Sequence, residues 1–189
     1  MAGQRPSRCR SSARPATVAG PSRDSPLIRH ATSADLAAIV AIYNATIPTR
    51  TSTADLEPVT LAQRRSWLGR HDPARRPCWV LEEDGQVIAW LSLEDYKDRA
   101  AYSITAEVSV YVDTAQRRHG YGRLLLDHAI EQAPGLALER LVGVIFGHNT
   151  ASITLFSDAG FERWGLLPGV TRLDGRPADI VILGRAVGS

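Results

Sequence analysis

The run Arg117-Arg118-His119-Gly120-Tyr121-Gly122-Arg123 mixes cations with glycines. It sits between an alternating, strand-like stretch (Ala106 to Val112) and a helical run over Gly120–Ala133. A helix N-terminus offers unpaired backbone N–H groups and the positive end of the helix dipole. Glycines let an anion approach the backbone closely. Arginines add charge-assisted hydrogen bonds. Together these suit a pyrophosphate. A glycine-eased turn with solvated charges is the other reading of the same residues. The run is not a Walker loop, because the Lys-Ser/Thr ending is missing. It is not a dinucleotide fingerprint either, which needs a third glycine and a later acidic residue.

The second chemical feature is Glu107. In the alternating strand, Glu107, Ser109 and Tyr111 point one way and Val108, Val110 and Val112 the other. A carboxylate inside an apolar strand has its pKa raised by burial, which suits a general base. A glutamate on the wet face of a sheet fits the spacing equally. His30, His71, His119, His128 and His148 show no metal-ligand spacing, so no metal is expected. Cys78 opens a strand and reads as a small core residue. No G-x-S-x-G signature is present.

The elements that must position these groups follow from periodicity. Leu27 to Ala31 reads as a strand. Thr32, with Asp35 three residues on, opens a helix carrying Leu36, Ile39, Val40 and Tyr43 on one face. Pro48 and the Thr/Ser run Thr49 to Thr53 end it. Leu61 to Leu68 is a weaker helix, stopped near Gly69. Cys78–Glu83 and Gln86–Leu93 form a hairpin through Asp84-Gly85. A polar loop, Glu94 to Ala100, leads to the Glu107 strand. Leu141–Phe146 is a further strand and Ala151–Ala159 a helix. A last hairpin turns at Asp174-Gly175. The order β-α-α-β-β-β-α-β-α-β-β predicts an α/β fold, one sheet flanked by helices.

The 189 residues suit one domain plus an extension, with apolar residues at 44% and charged residues at 22%. A net charge of +2 argues against a dedicated nucleic-acid binder. Two cysteines exclude a disulfide scaffold. No apolar run is long enough to span a bilayer. Residues 1–26 carry five arginines against one acid and are rich in Ser, Pro and Ala. They are expected to be a disordered basic tail, ahead of a domain over 27–189. A transit peptide, a mis-assigned start and a solvated tail remain alternatives for it. With no signal or membrane segment read, a cytoplasmic protein is expected.

Arg117-x-x-Gly120-x-Gly122 after Val110-Tyr111-Val112 resembles motif A of the GNAT acetyltransferase superfamily, and residues 149–161, from Asn149 to Gly160-Phe161, resemble its second signature. The resemblance narrows to the phosphinothricin acetyltransferase-like branch through Ile28 to Thr32, Ile42-Tyr43-Asn44, Lys97-x-Arg99, Tyr102 and Ala106 to Val112. It spans residues 28–187. It implies a mixed, mostly antiparallel sheet with a V-shaped splay between central strands. It further implies acetyl-CoA as co-substrate, its pantetheine arm against Val110, Tyr111 and Val112. Arg117 opens the pyrophosphate loop formed by Arg118, His119, Gly120, Tyr121, Gly122 and Arg123. Asn149 matches a residue that bonds the pantetheine arm, and an Asn there equally caps a helix.

The implied reaction is direct attack of an amine on the thioester, with Glu107 as general base. The implied acceptor is a small amino acid or analogue of the phosphinothricin, methionine sulfoximine or methionine sulfone type. Lys97, Arg99 and Tyr102 match positions beside it, with Tyr111 on the same pleat as Glu107. A charged loop is the alternative for Lys97 and Arg99. Phe156 stands where relatives place Tyr or His, cannot donate a proton, and makes the acceptor pocket more apolar. A homodimer is implied; no nucleic-acid or membrane partner is expected. Transfer to a peptide N-terminus or polyamine, a non-catalytic acyl-CoA-binding module, and nucleic-acid binding through the tail are the competing readings.

Overall fold

A computed structural model describes residues 25–188. The expected tail over residues 1–26 therefore lies outside the described residues, apart from residues 25 and 26.

The strands are β1 (Leu27–His30), β2 (Cys78–Glu83), β3 (Gln86–Asp95), β4 (Thr105–Val112), β5 (Arg140–Phe146), β6 (Glu162–Leu173) and β7 (Arg176–Ala186). The helices are α1 (Leu36–Asn44), α2 (Leu61–Leu68), α3 (Tyr121–Gln132) and α4 (Thr150–Asp158). All strands join one sheet in the order β1-β2-β3-β4-β5-β7-β6. Every neighbouring pair is antiparallel except β4 and β5, which run parallel. The expected mixed α/β sheet is thus observed. Most bounds shift by a single residue, and two differences are larger. Glu94 and Asp95 continue β3 because they pair with Glu107 and Ala106. A 3-10 turn over Ser33–Asp35 precedes α1.

Strand alternation divides the core in two. Trp79, Leu81, Leu91, Leu93 and Val108 bury one face against Leu125 and Leu126 of α3 and Phe156 of α4. Cys78, Val80 and Trp90 bury the other against Ile39, Ile42 and Tyr43 of α1. Parity assigns Glu107, Ser109 and Tyr111 to the α1–α2 face, because Tyr111 packs with that second cluster.

The β1 end of the sheet is fastened by Arg29. Its guanidinium donates to both Asp35 oxygens at 2.8 Å and to Glu82 Oε2 at 2.7 Å. Thr32 N–H also donates to Asp35 at 2.8 Å. The hydrogen bonds from Arg29 hold the Asp35 carboxyl at about 2, below its ordinary 3.8. Ionised Asp35 therefore stabilises the fold above pH 3.8, and that contribution is lost as pH falls toward 2. Asp35→Asn should lower stability at neutral pH by about 2 kcal/mol, with the gap to the parent closing in acid; urea unfolding across pH measures it.

Gly143 on β5 lies beneath the buried Phe156 ring. A Cβ there would meet the ring at 2.6 Å. Gly143→Ala should cost about 1–3 kcal/mol by overpacking, and a thermal melt should show the midpoint falling.

Candidate active site

The parallel ladder between β4 and β5 consists of Thr105–Arg140, Ala106–Leu141 and Glu107–Val142. Beyond Glu107 the two strands part. A cavity of about 220 Å³ occupies the gap, lined by Glu107 to Tyr111 from β4 and Val144 to Phe146 from β5. This is the splay between central strands that the sequence resemblance implies. The facing edges carry backbone N–H and C=O groups with no strand partner across the gap. They offer an extended, amide-bearing ligand the same pairing that a strand would offer.

A strap over residues 51–54 also lines this cavity. Asn149 Nδ2 donates to the Thr51 carbonyl at 2.9 Å. Asn149 Oδ1 accepts from Ser152 N–H at 3.1 Å, which caps α4. His148 Nε2 lies 2.7 Å from the Arg50 carbonyl. Tyr111 Oη makes a long 3.4 Å bond to the Ser52 carbonyl. The strap is therefore tied to both arms of the splay.

At the wide end of the gap stands the start of α3. Arg118 (φ 66°) and Gly120 (φ 85°) adopt left-handed backbone that turns the chain into the helix. No side chain caps α3, whose N-cap is Gly120, and a helix start of this kind presents backbone N–H groups and the positive end of the helix dipole. A Cβ on Gly122 would sit 3.3 Å from Leu155 and 3.6 Å from Val112. Glycine there lets the helix start lie close to β4. Arg117 and Arg118 are exposed. Arg123 instead pairs with Asp127 at 2.7 Å and donates to the Asp158 carbonyl. Tyr121 Oη donates to Glu83 at 2.7 Å, and the His119 ring lies against Tyr121.

Glu107 lies opposite Glu94 in the register. Burial raises its pKa above the ordinary carboxylate value; the neighbouring Glu94 charge adds to the rise, while Lys97 opposes it. Tyr111 is pushed up by burial and stays a neutral donor. Burial also pushes the Cys78 thiol up to about 12, so it is no thiolate nucleophile.

A second cavity, of about 370 Å³, opens on the α1–α2 face. It shares Ser109 and Tyr111 with the splay. The remaining wall includes Tyr43, which the sequence placed only on a helix face and in the family resemblance, and Arg64, Trp67, Trp90 and Ser92, which did not stand out in the sequence. Their signal would have been the strand register, which aligns Trp90 with Tyr111 and Ser92 with Ser109. Lys97, Arg99 and Tyr102 are exposed and line neither cavity. Phe156 is 2% exposed and lines the splay, not the second cavity. Among the described residues, no cluster of three or more His, Cys, Asp or Glu is placed to hold a metal ion. No described helix is long and apolar enough to cross a membrane.

Comparison with known proteins fits this geometry. The Acetyltransferase (GNAT) family pattern matches residues 39–161. A Bacillus subtilis (strain 168) protein named "Putative phosphinothricin acetyltransferase YwnH" is 48% identical over 159 residues, covering 84% of this chain and 97% of that protein. The L-methionine sulfoximine/L-methionine sulfone acetyltransferase of Pseudomonas paraeruginosa (strain DSM 24068 / PA7) is 36% identical, covering 82% and 91%. A crystal structure of a phosphinothricin acetyltransferase from Sinorhizobium meliloti in complex with acetyl-CoA superposes with a TM-score of 0.82. It is 27% identical and covers 86% of this chain and 89% of that one. By sequence and by fold, the chain is an N-acetyltransferase enzyme and belongs to the GNAT acetyltransferase family.

Proposed function

We propose that the protein is a cytoplasmic enzyme that transfers acetyl from acetyl-CoA to the α-amine of a small amino acid or analogue of the phosphinothricin, methionine sulfoximine or methionine sulfone type. The observation that carries this reading is the junction of two cavities at Ser109 and Tyr111, with Glu107 beside it. One cavity lies between parted strands and leads toward an uncapped helix start. The other is a pocket on the α1–α2 face with charged and aromatic walls. Relatives named for these acceptors, at 32–36% identity, support the substrate class.

Acetyl-CoA fits the splay, because the unpaired strand edges beyond Glu107 and Val142 match a ligand with amide groups. When bound it supplies an activated thioester carbonyl. Val110, Tyr111 and Val112 would hold its arm. The backbone of Gly120 and Gly122 at the start of α3, with Arg117 and Arg118, would hold its pyrophosphate. Asn149 acts there by fixing the strap and capping α4. Glu107 accepts the proton that the ammonium of the acceptor must lose. Its pKa, raised by burial, makes it a stronger base than an exposed carboxylate. Backbone N–H groups on the open β4 edge face the position where negative charge develops on oxygen. Lys97, whose charge reaches Glu107, would draw the acceptor carboxylate to that end, with Arg99 and Tyr102 at its rim. Phe156 contributes an apolar wall and no proton.

Exposed Trp164, Leu166, Leu167 and Val170 on the edge strand β6 support the expected homodimer. A second copy of the chain would cover them.

The reading is tested by coenzyme A release across phosphinothricin, methionine sulfoximine, methionine sulfone, plain amino acids, a polyamine and a peptide. Turnover confined to the amino-acid analogues supports it; turnover with peptide or polyamine alone overturns the acceptor. Glu107→Gln should lower kcat by about 10²–10⁴ with little change in the KM for acetyl-CoA. Because the base must be ionised, the rate should rise with pH through the pKa of Glu107. Glu94→Gln should move that limb to lower pH and Lys97→Met to higher pH, read from kcat/KM profiles. Replacing Arg117 and Arg118 together by Ala should raise the KM for acetyl-CoA about tenfold at low salt, and less at high salt.

A further inference from the structure

Arg64 and Arg76 are both buried, at 8% and 4% exposure, but their surroundings differ. Arg76 has a full set of partners: Asp95 at 2.8 Å and the carbonyls of Arg75 and Ser103. Arg64 has aromatic faces instead. Its Cζ lies 4.1 Å from the Tyr43 ring centroid, 4.5 Å from Trp67 and 5.7 Å from Trp90. Among the described residues, no carboxylate lies within 4.0 Å of its guanidinium and no side-chain hydrogen bond satisfies it. Ring faces stabilise the cation but cannot accept its in-plane N–H groups. Arg64 is one of the residues that line the α1–α2 cavity.

Two more donors in the same wall lack partners. Trp90 Nε1 and Ser92 Oγ are buried, each residue 1% exposed, and neither is hydrogen-bonded among the described residues. Native proteins leave few such groups unmet, since each costs its desolvation. A guanidinium, an indole N–H and a hydroxyl together call for a ligand group rich in acceptors. The carboxylates at this cavity are already engaged at its rim. Asp55 accepts from Tyr43 Oη at 2.7 Å, and Glu94 from Trp67 Nε1 at 3.1 Å.

The register decides which part of a ligand reaches these donors. Glu107 stands opposite Glu94, and Tyr111 opposite Trp90, four residues along the strand. That is roughly 13 Å of strand. An amine held near Glu107 keeps the carboxylate on its own carbon at that end. The end of the acceptor side chain is what extends toward Trp90 and Arg64.

We propose that Arg64, with Trp90 and Ser92, is the receptor for the oxygen-bearing head of the acceptor side chain, and so selects sulfone, sulfoximine and phosphinate heads over side chains without such oxygens. The proposal rests on the amino-acid acceptor reading above. A sulfonyl or phosphinyl group presents two strong acceptor oxygens to the three donors. A thioether presents one weak acceptor.

Calorimetric titration of the full chain, with coenzyme A present, tests this using L-methionine sulfone, L-methionine and the carboxamide of methionine sulfone. The parent should bind the sulfone at least about tenfold more tightly than methionine. Arg64→Met should reduce that ratio about tenfold or more, and Ser92→Ala about threefold. The ratio of sulfone to its carboxamide should stay constant through the series. A parent ratio near one overturns the proposal. So does a variant that weakens sulfone and methionine equally, which is the mark of a purely structural arginine. A loss that follows the carboxylate instead of the sulfonyl group also overturns it. If Arg64→Met fails to fold, Arg64→Lys and Ser92→Ala decide by the same ratio. Coenzyme A release from acetyl-CoA is followed in parallel. Selective sulfone binding without release would sustain the receptor and overturn the acceptor reading on its own.

Discussion

Three residue pairs join β4 to β5, ending at Glu107 and Val142, and the rest of the site is built on where that ladder stops. A parallel pair that continued would satisfy its own backbone and close the sheet. Here the sheet stays in one piece because β5 pairs along its whole other edge with β7, from Arg140–Ala186 to Phe146–Ile180. β4 is held likewise by seven registered partners on β3. The opening is therefore a wedge between two well-supported arms. α3 on one arm and α4 on the other keep the arms apart. Gly122 allows α3 to approach Val112, and Gly143 allows Phe156 to lie on β5.

The wedge would be only a surface groove without the strap over residues 51–54. The strap's fixings come from distant parts of the chain: Asn149 and His148 from the turn before α4, Tyr43 from α1, Tyr111 from β4. Tyr43 Oη and Thr53 Oγ1 are 2.5 Å apart, and Tyr43 also lies over Arg64. Tyr43 thus belongs at once to the roof of the wedge and to the aromatic wall of the adjoining pocket. The two cavities cannot be arranged independently, which is what a reaction between two separately bound molecules demands of its enzyme.

Local order made much of this readable in the sequence. The alternation from Ala106 to Val112 sets the pleat, and both glycine turns, at Asp84-Gly85 and Asp174-Gly175, fall where the strands reverse. The cation and glycine run lies at the start of a helix, where Gly120 takes the left-handed N-cap conformation. What stayed hidden depends on register and on distance in sequence. Nothing in the residues of β3 states that Trp90 faces Tyr111, or that Arg64 of a weakly amphipathic helix would be buried over three rings. Lys97, Arg99 and Tyr102 stood out by type and by family resemblance, yet they are exposed and line neither cavity. Asn149 had two readings, and its amide serves the helix cap and the strap together.

Along the α1–α2 face of β3 and β4, chemistry is ordered by strand position. Glu94 and Glu107 face each other at one end, Ser92 and Ser109 stand in the middle, and Trp90 and Tyr111 stack at the other with centroids 4.4 Å apart. Burial makes Glu107 harder to ionise, and the Glu94 charge facing it works in the same direction. That end accepts protons and attracts a cation. The aromatic end, capped by a buried guanidinium, attracts electron-rich oxygens. A ligand with an ammonium at one end and a polar, oxygen-bearing head at the other has a single favourable orientation in such a gradient, since the reversed one would set like charge against like. On the proposed reading, orientation of the acceptor comes from the order of residues along two paired strands, and the amine is delivered to the Glu107 end, where the β4–β5 ladder stops.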